Sequence, residues 1–170
     1  MIDAISSARL QLVCPALADK IRRMAEILEL DSPPIRFRVT QGLRTWQEQA
    51  TLYAQGRSTP GKVVTNAAPG HSYHSYGLAV DVVPLTELGP DWNEGHPQWQ
   101  RLVQVGTSLG LVAGAQWRTF PDWPHFQLTG VFPVSPNDEV REILRDHGME
   151  RVWQEAGLWE PPLGIGTADV

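Results

Sequence analysis

The sequence has little of what marks several large functional classes. Cys14 is the only cysteine among 170 residues, so neither an intramolecular disulfide nor a thiolate metal site can be built. Its neighbour Pro15 and the apolar residues around it read as a packed helix start. Positive charge is not in excess. Fourteen Lys and Arg face nineteen Asp and Glu, for a net charge of −5, which argues against nucleic acid as a partner and gives no bulk attraction to an anionic envelope. No apolar run approaches the ~18–20 residues of a membrane span. The N-terminal M-I-D-A-I-S-S-A-R-L has no basic segment followed by a long apolar one, so no secretory signal and synthesis in the cytoplasm are expected. There is no internal repeat and no cofactor-binding motif. What remains is ordinary for a globular chain, 42% hydrophobic and 19% charged. That length suits one domain burying about two-thirds of its unfolded surface.

Leu17, Ile21, Met24 and Leu28 fall on one helical stripe, predicting an amphipathic helix from about Pro15 to Leu30. Asp31–Pro34 breaks it, and Ile35, Phe37 and Val39 alternate as a strand. Thr45-Trp46-Gln47-Glu48 is a capping box, opening a helix that ends near Gln55 and Gly56. Val63–Thr65 reads as a short strand, Asn66–Ser72 as a loop, and Pro84–Pro97 as a long irregular loop. Gln98–Leu109 is expected as a helix and Leu111–Ala113 as a strand. Ser135 and Pro136 look like the cap and first residue of a helix, which Gly148 separates from a second one near Met149–Ala156. Residues 1–134 thus form the main body. Residues 135–170 form a helical appendage of the same domain, ending in a mobile tail from Pro161 to Val170. Strands interspersed with helices predict an α+β fold with a small, largely antiparallel sheet.

One stretch carries a contradiction. In His71–Val83, H-S-Y-H-S-Y-G-L-A-V-D-V-V, the residues Leu78, Val80 and Val82 form one apolar strand face. Gly77, Ala79 and Asp81 form the other, which suggests a partly buried Asp81. A buried carboxylate is costly without positive charge or donors beside it. His74, just before the strand, is a natural companion if Gly77 bends the backbone between them. Two readings fit these residues, a metal held by both side chains or a His–Asp hydrogen bond inside a core. About forty residues on, P-D-W-P-H-F-Q-L (Pro121–Leu128) alternates again, with Phe126 and Leu128 apolar and His125 and Gln127 opposite them. Two histidines and a carboxylate suit an open zinc site, and Asp122 would be close enough to serve as a base.

S-Y-H-S-Y-G-L-A-V-D resembles the S-x-H-x-x-G-x-A-x-D signature of the zinc D-Ala-D-Ala carboxypeptidases, and D-W-P-H at Asp122–His125 resembles their second signature, D/E-x-x-H. This VanY-like family includes L-alanyl–D-glutamate endopeptidases of phage lysins. The endopeptidase branch is the better match, because Gln41–Arg57 is similar to its G-x-R-x-x-x-x-Q-x-x-L-Y-x-x-G-R segment. The resemblance implies a small sheet holding zinc, as also in the Hedgehog domains. It implies His74, Asp81 and His125 as zinc ligands, Asp122 as catalytic base and Arg44 as transition-state stabiliser. Ser72 and Gln127 are further candidates for contacts to substrate or to the ligands. The implied substrate is the peptide stem of peptidoglycan, cut between L-Ala and D-Glu by a monomeric, phage-type lysin acting on the wall after release. A D-Ala-D-Ala carboxypeptidase and a non-catalytic zinc-containing binding module are the alternatives. His71, His96 and His147 are left outside the site. Trp117, Phe120 and Trp123 bracket the second motif and suit either a groove wall or packing. Arg57, Lys62 and Arg118 are candidate cations near the leaving group.

Overall fold

A computed structural model describes residues 2–160. Its elements run α1 (Ala4–Leu10), α2 (Pro15–Glu29), β1 (Arg36–Gln41), α3 (Trp46–Ala54), β2 (Ala79–Thr86), β3 (Gly89–Pro90), α4 (Pro97–Ser108), β4 (Val112–Ala113), β5 (His125–Gln127), α5 (Asp138–His147) and α6 (Met149–Glu155). Short 3-10 turns lie at Tyr73–Tyr76 and Gly114–Gln116. The sheet has the order β1-β2-β5-β4, with β3 also on β2, and every pairing is antiparallel. The α+β class expected from the alternation of periods is therefore the one observed.

The stripe on α2 behaves as its spacing demands. Leu17, Ile21, Met24 and Leu28 are all fully buried, against α4 and β1. Burial of each such side chain contributes about 1.5–3 kcal/mol, more than any difference in helix propensity, which stays under about 1 kcal/mol per residue for non-proline residues. From the sheet, Phe37, Val39, Val80, Val82 and Phe126 join the same core. The opposite side of β2 and β5 carries Asp81 and His125. Helices α5 and α6 contribute Val140, Val152 and Trp153 to that core. The Trp153 indole donates to Tyr76 O at 2.8 Å, directly beneath the turn that bears His74.

Four local readings need correction. Val63–Thr65 forms no strand, because no neighbouring segment pairs with it; Val63 and Val64 stay 40% and 43% exposed. The span Pro84–Pro97 is not all loop. β2 continues through Pro84 to Thr86, held by pairing with Phe37 and Arg36 on β1, then turns back into β3. Cross-strand partners override the local signal of one proline. The helix after Ser135 is capped instead by Asn137, whose side chain accepts from Val140 N at 3.0 Å. Helix α1 was not expected at all, being too short for periodicity to show. Asp3 caps it through Ser6 N at 2.7 Å, and the Ser6 hydroxyl in turn accepts from Val39 N. The tail expected to be mobile, Pro161–Val170, lies outside the described residues.

Candidate metal centre

Antiparallel register places the first two groups. Asp81 on β2 is the direct partner of His125 on β5, so their side chains emerge from adjacent strands on one face. His74 arrives from the 3-10 turn before β2. Tyr73 and Tyr76 anchor that turn in the core, their hydroxyls donating to Pro133 O at 2.6 Å and Gly70 O at 2.7 Å. Gly77 then reverses the chain with φ +63°, the left-handed conformation that a side chain disfavours. This is the bend that lets residues seven apart meet on one side. Next to the site, β1 is irregular: its register shifts between Val39 and Gln41, so that Gln41 stands opposite Asp81.

His74 Nε2 lies 3.1 Å from Asp81 Oδ1 and 3.2 Å from His125 Nδ1, and His125 Nδ1 lies 3.4 Å from Asp81 Oδ1. The far sides of both imidazoles fix their tautomers. His74 Nδ1 donates to Gly42 O at 2.8 Å, and His125 Nε2 donates to Gln127 Oε1 at 2.9 Å. The two inward nitrogens of the neutral rings therefore both carry lone pairs, and they face each other and a carboxylate oxygen. Three acceptors converge with no donor between them, and both histidines are buried. Only a proton or a metal cation relieves such an arrangement. Tetrahedral ligation at about 2.0–2.1 Å separates ligand atoms by roughly 3.3 Å, close to the spacings seen, so the donor set fits a small divalent ion of zinc's preferences. It is the one group of three or more potential ligands among the described residues.

Electrostatics point the same way. Burial pushes the Asp81 carboxyl up, but positive charge on His74 and hydrogen bonds from both imidazoles, available when the rings take up protons, outweigh it and hold Asp81 well below the usual carboxylate range. For His125, burial disfavours the charged ring, yet Asp81, helped by Asp122, wins and raises its pKa. Each shift expresses the pull of this cluster for positive charge. Asp122 moves the other way. Burial raises its pKa and the Asp81 charge raises it further, while His125, His74 and Arg44 oppose without cancelling.

Asp122 and Arg44 share with the three groups a cavity of about 360 Å³, walled also by Leu52, Val64 and Trp92. Arg44 is buried, and not the surface residue that an arginine ahead of a helix suggests. Its Nη2 meets Asp81 Oδ2 at 3.3 Å and its Nη1 donates to Gln49 Oε1 at 2.9 Å. Gln49 is fully buried and passes its own amide hydrogen to Ala67 O at 2.7 Å. Sequence reasoning gave Gln49 no role, although it is the glutamine of the G-x-R-x-x-x-x-Q segment, five residues after Arg44. Gly114 was missed as well. A Cβ there would stand 2.6 Å from Asp122 O and 2.9 Å from His125 Cβ, so the backbone bearing the second motif can approach only a glycine.

A second cavity of about 730 Å³ adjoins the first, and Ser72, Trp117 and His125 line both. Ser72 is half-buried, and its hydroxyl does not cap the turn it precedes. Trp117 lies 4.9 Å from His125, ring to ring, and Phe120 lines the larger cavity, whereas Trp123 packs on Trp99. His71 is exposed beside Arg141, and His96 caps α4; neither joins the three. Gln127 is buried, with its amide oxygen on His125 and its amide nitrogen donating to Val134 O at 2.8 Å. That makes it the orienting partner of His125 more than a contact to substrate. Gln127→Ala is expected to weaken metal binding by about 10–100-fold while leaving the fold intact. Titration against a competing chelator checks this, and unchanged affinity would remove the orienting role.

A family model described as D-alanyl-D-alanine carboxypeptidase matches residues 65–128, the segment that carries His74, Asp81, Asp122 and His125. The peptidoglycan L-alanyl-D-glutamate endopeptidase CwlK of Bacillus subtilis is 38% identical over 98 residues, covering 53% of this chain and 59% of that protein. The chain thus spans less than two-thirds of that relative. The L-alanyl-D-glutamate peptidase of Escherichia phage T5 is 30% identical over 123 residues, covering 69% of this chain and 82% of that one. The crystal structure of the Serratia marcescens L-Ala D-Glu endopeptidase ChiX aligns with a TM-score of 0.55 at 26% identity, over 74% of this chain and 87% of the other. With both motifs inside the matched segment and most of the phage enzyme covered, the chain belongs to the D-alanyl-D-alanine carboxypeptidase family of metallopeptidases.

Proposed function

We propose that this protein is a zinc-dependent peptidoglycan hydrolase that cuts the L-Ala–D-Glu amide of the peptide stem. The observation that carries this reading is the convergence of His74, Asp81 and His125 at the junction of two adjoining cavities. A junction lets peptide extend both ways from the reacting bond, as an endopeptidase requires; a carboxypeptidase needs room on one side only. His74, Asp81 and His125 would hold the ion. When bound, zinc supplies Lewis-acid polarisation of the scissile carbonyl and raises the acidity of water. Asp122 takes the proton from the attacking water on its carboxylate. As the C–N bond breaks, it returns that proton to the leaving amine; a raised carboxyl pKa suits both halves of the cycle. Arg44, held by Gln49, faces the negative charge that develops on the carbonyl oxygen. Ser72, which lines both cavities, would meet substrate.

Asp122 and Arg44 beside the centre also weigh against a binding module, which would need neither. No helix among the described residues is long and apolar enough to cross a membrane. The likeness to a phage enzyme supports a lysin-type role acting on the wall after release. The test is mass spectrometry of muropeptides after incubation with zinc-loaded protein. New N-terminal D-Glu and sugars bearing L-Ala alone are expected. Release of D-Ala alone would make it a carboxypeptidase, and no cleavage would favour the binding module.

A further inference from the structure

The bond proposed above fixes an anion close to the reaction. D-Glu linked through its γ-carboxyl keeps its α-carboxylate free, on the carbon that bears the leaving nitrogen. Zinc and Arg44 are assigned to the scissile carbonyl, so burying this carboxylate near Asp81 and Asp122 is unfavourable unless a further cation meets it. The structure separates the candidates. Arg57 donates to Tyr53 O at 2.8 Å and Asn66 Oδ1 at 3.0 Å, and its guanidinium lies 4.2 Å from the Tyr53 ring centroid. Lys62 lines neither cavity. Arg141, close to the rim, is engaged with Pro136 O, Asp138 and His71.

Arg118 differs from all of these. Among the described residues it is the one Lys or Arg lining the larger cavity, and it makes no hydrogen bond or ion pair there. It directly follows Trp117, whose ring packs on His125, and it lines the same cavity as both of them. We propose that Arg118 is the specificity residue that reads the free α-carboxylate of D-Glu. This assignment rests on the endopeptidase reading and gives the groove a direction. The larger cavity takes the leaving half of the stem, and the smaller one, walled by Trp92, Val64 and Leu52, takes the L-Ala half.

A guanidinium in this role distinguishes a stem with D-Glu from one with D-isoglutamine, in which the same carboxylate is a neutral amide. Two synthetic stems differing only there, cut by zinc-loaded wild type, Arg118→Gln and Arg118→Lys, provide the test. Wild type is expected to prefer the carboxylate stem by about tenfold or more in kcat/KM, the usual worth of a hydrogen bond to a charged group. Arg118→Gln should bring that ratio near one, chiefly through loss on the carboxylate stem, and Arg118→Lys should restore part of it. Equal losses on both stems would indicate a merely structural role and overturn the assignment. So would a preference that survives in Arg118→Gln. Cleavage of neither stem by wild type would instead remove the endopeptidase reading, and this assignment with it.

Discussion

His125→Ala is expected to fold, to purify without the zinc that wild type carries at about one ion per chain, and to leave peptidoglycan uncut. The reason lies in the donor set. His125 Nδ1, His74 Nε2 and Asp81 Oδ1 are held within 3.4 Å of one another with lone pairs inward, so one cation can satisfy all three. Removing one imidazole leaves two ligands, too few to hold the ion, while the strands that carry them keep their pairing. Wild type stripped of metal by a chelator should gain thermal stability on adding zinc, by roughly 4 kcal/mol at a thousandfold excess over Kd. The variant should gain almost none. His71→Ala is the control, since His71 stands just before the turn that bears His74 but is exposed and outside the cluster. It should keep both the ion and the zinc-dependent shift. Full zinc occupancy in His125→Ala with the same shift would sink the three-ligand centre.

The elements around this centre were legible in the sequence to different degrees, for physical reasons. Signals confined to one segment could be read directly. The α2 stripe repeats over three turns, and the Thr45–Glu48 box makes both its hydrogen bonds. The clash between valines and Asp81 on β2 announced that something positive belonged there. Register was different. That Asp81 stands opposite His125 depends on pairing across 44 positions of sequence, which no local pattern encodes. The shift between Val39 and Gln41, the extension of β2 through Pro84 and the absence of a partner for Val63–Thr65 have the same origin. Residues that act by supporting others were the hardest to see. Gln49 is the glutamine of the G-x-R-x-x-x-x-Q segment, but that pattern does not say that its two ends hold Arg44 and Ala67. Gly114 looks like a loop glycine until the backbone of Asp122 is found against it.

Asp122→Asn is expected to keep the zinc and lose about 10²–10⁴-fold in kcat, the usual worth of general acid–base catalysis, with KM little changed. Asp122 lines the cavity but is not among the three groups able to hold the ion. Its position is set by backbone: Asp122 N donates to Gly114 O at 3.0 Å, and Asp122 O accepts from His125 N at 3.2 Å. An asparagine keeps those bonds and nearly the same volume, so the strand entry and His125 should stay where they are. What it cannot do is accept a proton from water and hand it to an amine. A loss of about 10³-fold corresponds to about 4 kcal/mol of transition-state stabilisation, far above what a shift in cavity polarity alone would give. Metal analysis together with steady-state kinetics on a defined stem peptide separates the roles. Zinc retained with kcat collapsed identifies the base; zinc lost in step with activity would make Asp122 a fourth ligand and close the position that water needs.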